Sequence, residues 1–160
     1  MRTIKAKKLS KENFTKFGDY FDFLNPTGLN LDGFYPDRVL LPVSGNMPVG
    51  FSPLIMEKPA EYIVKTAEYH NTTQEGILSI DSDIIVHAAP ASKKPVPELT
   101  EAFIVPKGTF VTLYTGVWHL GPFPVDKEKA HILIALPERT YMNDCIVVEY
   151  SQEEWIKIEL

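Results

Sequence analysis

The sequence has 160 residues, and its 21 acidic and 16 basic side chains give a formal net charge of −5 and a sequence pI near 5.4. This length is typical of one domain, so we expect a single domain over residues 1–160, with a core that needs no disulfide or metal. The negative charge disfavours a nucleic-acid partner, and no segment approaches the ~18 apolar residues of a membrane-spanning helix.

The single cysteine, Cys145, excludes a disulfide within the chain, and residues 1–5 lead into a polar stretch rather than the apolar run of a signal peptide. We therefore expect a reduced, cytoplasmic protein. The 13 prolines fall mostly between short apolar runs, a distribution that indicates turns and strand edges. The chain is predicted to be mainly β.

One short helix is predicted near the N-terminus. Ser10 suits an N-cap and Gly18 suits a left-handed stop, so a helix over residues 11–17 would bury Phe14 and Phe17. Residues 25–59 contain six prolines and four glycines, which leaves room only for short strands such as 39–43.

After residue 60 the β pattern is regular, with short runs rich in Val, Ile, Phe and Tyr. Strands are predicted over residues 61–66, 76–80, 84–89, 101–105, 109–114, 131–136 and 145–150. Strands spaced this closely predict a sandwich or a small barrel.

Apolar and polar residues alternate over residues 155–159, which predicts a last strand at an edge or on a partner. We expect a homodimer, because an open apolar edge is usually covered.

The chain has four histidines, and two of them have polar neighbours that suggest chemistry. His87 and His131 lie inside apolar runs, so they are predicted to be core or pocket-wall residues with one hydrogen bond each. Glu68 and His70 share one strand face, because side chains two residues apart point the same way. A carboxylate beside an imidazole can raise its pKa or fix its tautomer.

A second candidate region covers residues 106–122. Gly108 allows a tight turn into a strand, Tyr114 falls at the far end of that strand, and Trp118 and His119 follow a glycine. This mixture is typical of a polar pocket at the mouth of a barrel. For Trp118, a place in the core fits the pattern equally well.

Several segments carry one family pattern in order and spacing: residues 9–14, 18–19, 68–74, 97–104, 117–119, 138–139 and 143–149. Together they resemble the ureidoglycolate lyase family of cupin-fold proteins, over nearly the whole chain and weakly over residues 25–58. The resemblance implies a mainly β, cupin-like barrel, or double-stranded β-helix, with one short N-terminal helix. It also implies a lyase that cleaves ureidoglycolate to glyoxylate and urea.

That reaction needs a base at the substrate hydroxyl and a proton donor at the leaving nitrogen. The resemblance implies that His70 or His119 is the base, and that Tyr114 or the other histidine is the donor. Four residues are expected to bind the substrate: Glu68, Gln74, Trp118 and Arg139. Arg139 would bind its carboxylate, and Gln74 would bind its urea amide.

Two departures from the family pattern shape the remaining expectations. Tyr114 and Leu120 stand where the family has histidines, so we expect no metal or a weakly bound divalent ion, held by His70 and His119 if by anything. The strand over residues 51–56 lacks the family's arginine. Two alternatives therefore stay open. One is a non-catalytic cupin that binds a small sugar or acid, and the other is a cupin enzyme for another small substrate, such as a sugar isomerase.

Overall fold

A computed structural model describes residues 1–160, and nearly all of its regular structure is β. The expected mainly β, cupin-like fold is confirmed. The elements in chain order are β1 (Arg2–Lys8), α1 (Lys11–Phe14), β2 (Gly18–Asp22), β3 (Val49–Glu57), β4 (Tyr62–Val64), β5 (Thr66–Tyr69), β6 (Glu75–Ser79), β7 (Ile84–Ala89), a 3-10 turn (Pro97–Leu99), β8 (Glu101–Val105), β9 (Thr109–Leu113), β10 (Trp118–His119), β11 (Phe123–Pro124), β12 (Lys129–Pro137), α2 (Thr140–Asn143), β13 (Ile146–Glu149) and β14 (Ile156–Glu159).

The strands form two sheets that curl around a common core. The larger sheet has the order β13-β5-β10-β7-β8-β1-β14-β4, with β11 also paired to β7, and the smaller has the order β2-β9-β6-β12-β3. Most neighbours are antiparallel, but β1 runs parallel to both β8 and β14. Residues of both sheets, such as Val86 and Phe103 on one and Ile77 and Val111 on the other, pack in one core cluster.

A second core cluster covers the opposite face of the larger sheet, because successive residues of β7 belong to different clusters. All six residues of β7 are buried, as the apolar run over residues 84–89 predicts. Ile156 and Ile158 of β14 lie in this second cluster. The edge position expected for residues 155–159 is wrong, since β14 pairs with β1 on one side and β4 on the other.

The N-terminal helix is shorter than predicted, although its cap is present. Ser10 and Asn13 form a reciprocal capping box, and Phe14 and Phe17 are fully buried. Gly18 is not a left-handed stop but already belongs to β2. A Cβ there would lie 1.6 Å from the carbonyl oxygen of Thr112, so close backbone approach is what requires glycine. A second one-turn helix, α2, was not predicted.

The proline-rich region contains one long strand and one long irregular segment. The strand is β3, an edge strand that tolerates Pro53 because an edge leaves some backbone N–H groups without a partner. No strand forms over residues 39–43; residues 23–48, which we call the arm, hold only an isolated bridge between Leu31 and Phe34. No helix in the structure is long and apolar enough to cross a membrane.

Candidate functional site

Four acidic and imidazole side chains converge where the two sheets meet. Glu68 lies on β5, His70 directly follows that strand, Glu75 begins β6, and His119 lies on β10 opposite Glu68. One donor atom from each of the four lies within 4.8 Å of the others. We call this group the four-residue cluster. His70, Glu75 and His119 are buried, and Glu68 is half-buried.

Glu75 bridges the two histidines. Its Oε2 lies 3.0 Å from Nε2 of His70 and 3.0 Å from Nε2 of His119. The Nδ1 atoms lie 2.7 Å and 2.8 Å from the backbone carbonyl oxygens of Asp144 and Val117, respectively. A carbonyl oxygen only accepts hydrogen bonds, so each Nδ1 carries a proton and donates it. Each Nε2 can then face the Glu75 carboxylate favourably only if it carries a proton or shares a bound cation.

Opposite charges outweigh burial in this cluster. Burial alone would raise the pKa of Glu75, but the charges and hydrogen bonds of His119 and His70 lower it to about 2. Burial alone would lower the pKa values of both histidines, yet their contacts with Glu75 raise them above the ordinary 6.5. Near neutral pH Glu75 is therefore a carboxylate, and its charge favours a proton on each Nε2 more than in an ordinary histidine.

A cavity of about 290 Å³ opens onto the cluster. Its polar side chains include Glu68, His70 and Glu75, together with the exposed Arg139 and with Cys145. Its other walls come from residues of β3 and β12, among them Ser52, Leu54, Ile134 and Leu136. The cavity thus combines three carboxylates, those of Glu68, Glu75 and Glu138, with one imidazole and one guanidinium, and its volume suits a small molecule.

Cys145 acts as a hydrogen-bond donor in this cavity rather than as a nucleophile. Its Sγ lies 3.0 Å from Oε2 of Glu68 and donates to that carboxylate. Burial, followed by the hydrogen bond and negative charge of Glu68, raises the pKa of the thiol to about 12. The thiol therefore stays protonated at neutral pH and holds Glu68 in place.

The sequence-derived site residues divide into two groups. Glu68, His70 and Arg139 line the cavity, and His119 lies behind Glu75 in the same cluster. The others do not line this cavity: Gln74, Tyr114 and Trp118.

Two of these three residues, Tyr114 and Trp118, have their polar atoms paired elsewhere. The hydroxyl of Tyr114 donates to Oδ2 of Asp19 at 2.8 Å, so its polar atom is already paired outside the cavity. Trp118 packs in the second core cluster against Tyr69, and its indole N–H donates to Oγ of Ser92 at 3.0 Å. Of the two readings that the sequence left open for Trp118, the core position is the one observed.

The other two histidines differ from their expected settings. His131 is wrong as a core residue: its side chain is 53% exposed and pairs with Asp81 at 2.7 Å, because the outer face of β12 is open. His87 is fully buried, as expected, but its Nε2 has no hydrogen-bond partner. Burial lowers the pKa of His87 to about 3, so this imidazole is neutral.

Glu75 is the central residue that sequence reasoning missed. Glu68 and His70 point to the same face. Residues 71–74 lie outside a strand, so the alternation of side chains between the two faces starts again in β6, where the odd-numbered Glu75 points inward. The sequence does carry one signal for Glu75: an acid, a histidine and a second acid stand at residues 68, 70 and 75. The next residue, Gly76, is closely packed. Cys145 carried no such signal.

The donor set fits a divalent metal ion. Two imidazole nitrogens and two carboxylates are the ligands that Zn²⁺, Mn²⁺ or Fe²⁺ commonly take. Both histidines donate Nδ1–H to a backbone carbonyl, which is the outer contact that orients metal-binding histidines. The expectation of weak or absent metal binding counted His70 and His119 but not Glu75, so the structure offers more ligands than that expectation assumed.

Comparison with known proteins gives one distant relationship. No protein-family model matches the chain. Ureidoglycolate lyases from Pseudomonas paraeruginosa and from two strains of Pseudomonas aeruginosa are each 25% identical to it over 143 residues. The matches cover 84% of this chain and 83% of each relative. The chain is therefore a distant relative of proteins named ureidoglycolate lyase.

Proposed function

We propose that this protein is a lyase that cleaves ureidoglycolate into glyoxylate and urea. The observation that carries the proposal is the cavity, where the Glu68 carboxylate and the His70 imidazole lie close together and one guanidinium lines the same space. The distant similarity to ureidoglycolate lyases supports the choice of substrate.

The reaction sets clear demands on the site. Ureidoglycolate carries a hydroxyl and a urea nitrogen on one carbon, next to a carboxylate. A base removes the hydroxyl proton, the oxygen's electron pair forms the carbonyl of glyoxylate, and the C–N bond breaks with its electrons on nitrogen. A proton from an acid then completes urea, so no proton is gained or lost overall. The base and the acid must lie within a few ångströms of each other.

Glu68 is the base in this proposal. Its carboxylate lines the cavity, and its hydrogen-bond partner is the Cys145 thiol, which leaves further acceptor positions on the carboxylate for a substrate hydroxyl. His70 is the acid, because contact with Glu75 raises its pKa and favours a proton on Nε2. This assignment replaces our expectation that a histidine is the base.

The remaining residues bind the substrate or position the groups that react with it. Arg139 is exposed and lines the cavity, and its planar guanidinium can hold the substrate carboxylate with two parallel hydrogen bonds. His119 does not line the cavity, so it acts through Glu75 as a positioning residue. A divalent ion held by the four-residue cluster would supply Lewis-acid polarisation of a substrate oxygen; Glu68 and His70 would then be its ligands, so the roles of base and acid given above belong to the protein without the ion.

The test is a turnover assay on ureidoglycolate with matched variants. Glu68→Gln and His70→Asn remove the base and the acid while keeping side-chain size, so each should lower the rate at least ~100-fold. His131→Asn is the control, because His131 is a surface histidine outside the cavity. Full activity in both cavity variants, with circular dichroism showing intact folds, would contradict the assignment.

One observation favours a second candidate, a cupin that binds a small acid without turning it over. Both ring nitrogens of His70 and of His119 already have partners within 3.0 Å, so the cluster is satisfied without substrate. Calorimetric titration of ureidoglycolate separates the candidates: binding without glyoxylate release supports the binding protein, and binding with release supports the lyase.

A further inference from the structure

One wall of the cavity is formed by the paired strands β3 and β12. Ile134 lies opposite Ser52, and Leu136 lies opposite Gly50. Residues directly opposite each other in an antiparallel pair share one face of the sheet, and all four of these residues line the cavity. The wall therefore carries two aliphatic side chains on β12 and two small residues facing them on β3, which leaves space in front of it.

The aliphatic side chains of this wall keep part of their surface open. Leu54, the next inward residue of β3, and Ile134 pack on one side against the core cluster between the two sheets. Both are nevertheless only half-buried, and so is Leu136. On the far side of the cavity stands Gly121, where a Cβ would lie 3.7 Å from Cδ2 of Leu54. We call Gly50, Ser52, Leu54, Ile134 and Leu136 the aliphatic wall.

The cavity offers more room than the reacting groups need. Its volume of about 290 Å³ approaches the ~300–1,000 Å³ of pockets that hold drug-sized ligands. In the proposed reaction, Glu68, His70 and Arg139 take the hydroxyl, the nitrogen and the carboxylate of the substrate. The group that the nitrogen carries is the part of the substrate still unassigned, and the aliphatic wall is a part of the cavity still without a role.

A carbamoyl group, which ureidoglycolate has at this position, matches the aliphatic wall poorly. Its terminal NH2 has two hydrogen atoms to donate, and Ser52 is the one side chain of the wall that can accept. Glu138 also lines the cavity, but it is exposed, so water competes for its carboxylate. An alkyl chain needs no acceptor and is stabilised by leaving water.

We propose that the substrate class of this site extends to N-acyl-α-hydroxyglycines with a short alkyl chain, and that this chain lies on the aliphatic wall. The inference rests on the proposed function, because it uses the same base, acid and guanidinium. Glu68 takes the hydroxyl proton, and the oxygen's electron pair forms the carbonyl of glyoxylate. The C–N bond breaks with its electrons on nitrogen, and a proton from His70 completes a primary amide, so no proton is gained or lost overall.

The test compares kcat/KM for ureidoglycolate and for the N-acetyl, N-propanoyl and N-butanoyl derivatives of α-hydroxyglycine. Release of glyoxylate is measured and corrected for spontaneous breakdown. Each methylene that leaves water for an apolar wall is worth about fourfold, so kcat/KM should rise about 15-fold from the acetyl to the butanoyl compound. The butanoyl compound should be cleaved at least as efficiently as ureidoglycolate.

A matched pair of variants tests the position of the chain. Ser52→Leu fills the space in front of Ile134 and should abolish the rise from acetyl to butanoyl. Ile55→Phe is the control, because it adds bulk to the same strand at an exposed position outside the cavity, and it should keep the rise. Circular dichroism checks that both variants have the wild-type fold.

A binding measurement gives a readout that does not depend on turnover. N-butanoylglycine and N-carbamoylglycine lack the hydroxyl and cannot be cleaved by this reaction. Calorimetric titration should show tighter binding of N-butanoylglycine to wild type, and the difference should be lost in Ser52→Leu. Tighter binding of N-carbamoylglycine to wild type would overturn the proposal.

The turnover results separate this proposal from the proposed function. Cleavage of ureidoglycolate with no rise along the acyl series, or a rise that persists in folded Ser52→Leu, would overturn the proposal and leave the proposed function standing. Cleavage of the acyl compounds without cleavage of ureidoglycolate would support the proposal and contradict the proposed substrate. No cleavage of any of these compounds would contradict both.

Discussion

Replacing Glu75 with glutamine tests the electrostatics of the cluster most sharply. The substitution keeps the shape of the side chain and removes the charge that two buried imidazoles share. The pKa of Glu75 is about 2 against an ordinary 4.5. At ~1.36 kcal/mol per unit, this difference corresponds to about 3 kcal/mol of stability above pH 4.5, which is lost as the pH falls from 4.5 towards 2.

The same contact also depends on the histidines. Their pKa values are raised in the folded protein, so the stabilisation is complete below pH 6.5 and is lost as the pH rises through the raised values. At pH 6, in the presence of a chelator, Glu75→Gln should therefore unfold about 6–12 °C below wild type. At pH 9 the difference should shrink, because neutral imidazoles no longer donate from Nε2.

The assay is thermal unfolding followed by circular dichroism from pH 5 to pH 9. Glu128→Gln, at an exposed position, is the charge-matched control and should melt like wild type. Equal melting temperatures for Glu75→Gln and wild type at pH 6 would refute the reasoning. A deficit of the same size at pH 6 and pH 9 would also refute it, since the lost contact would then not be ionic.

Three further predictions concern His87, metal binding by the four-residue cluster, and Cys145. His87→Leu should raise the free energy of unfolding, and most so in acid. With a folded pKa of about 3, His87 favours unfolding by up to ~5 kcal/mol as the pH falls from 6.5 to 3. An unchanged midpoint of acid unfolding would contradict this prediction. Adding Mn²⁺ or Zn²⁺ to chelator-treated protein should raise the melting temperature of wild type but not of Glu75→Gln; equal shifts in both would place the ion elsewhere. At pH 8 the Cys145 thiol should react with a disulfide reagent at least ~100-fold more slowly in the native protein than after unfolding, because its pKa is raised to about 12. Equal rates would show an accessible thiolate and contradict this prediction.

The sequence predicted those parts of the fold that follow from local patterns. The apolar run of β7 indicated a strand buried on both faces, and the cap at Ser10 located the start of the helix. The residues of a strand do not by themselves determine whether that strand lies at the edge of a sheet or in its interior. The alternating residues of β14 looked like an edge, yet β1 and β4 flank them on both sides. Only the resemblance placed a strand over residues 51–56, where β3 lies, because Pro53 argues against a strand unless the strand is known to lie at an edge.

The candidate site was predictable to a similar extent. Glu68 and His70 were brought together by two-residue spacing, which a strand converts directly into a shared face. Joining them to His119 depended on the pairing of β5 with β10, a long-range contact that the resemblance suggested and the spacing alone did not. Tyr114 illustrates the limit: its place at the end of a strand left open which way the hydroxyl turns, and it turns to Asp19.

We propose that this chain breaks the bond between the hydroxyl-bearing carbon and the urea nitrogen of ureidoglycolate. Incubating the purified protein with ureidoglycolate and measuring glyoxylate, urea and ammonia together tests it most directly. We predict glyoxylate and urea in equal amounts and no ammonia, with the rate falling at least ~100-fold in Glu68→Gln. No glyoxylate from folded wild-type protein, or ammonia in place of urea, would contradict the account.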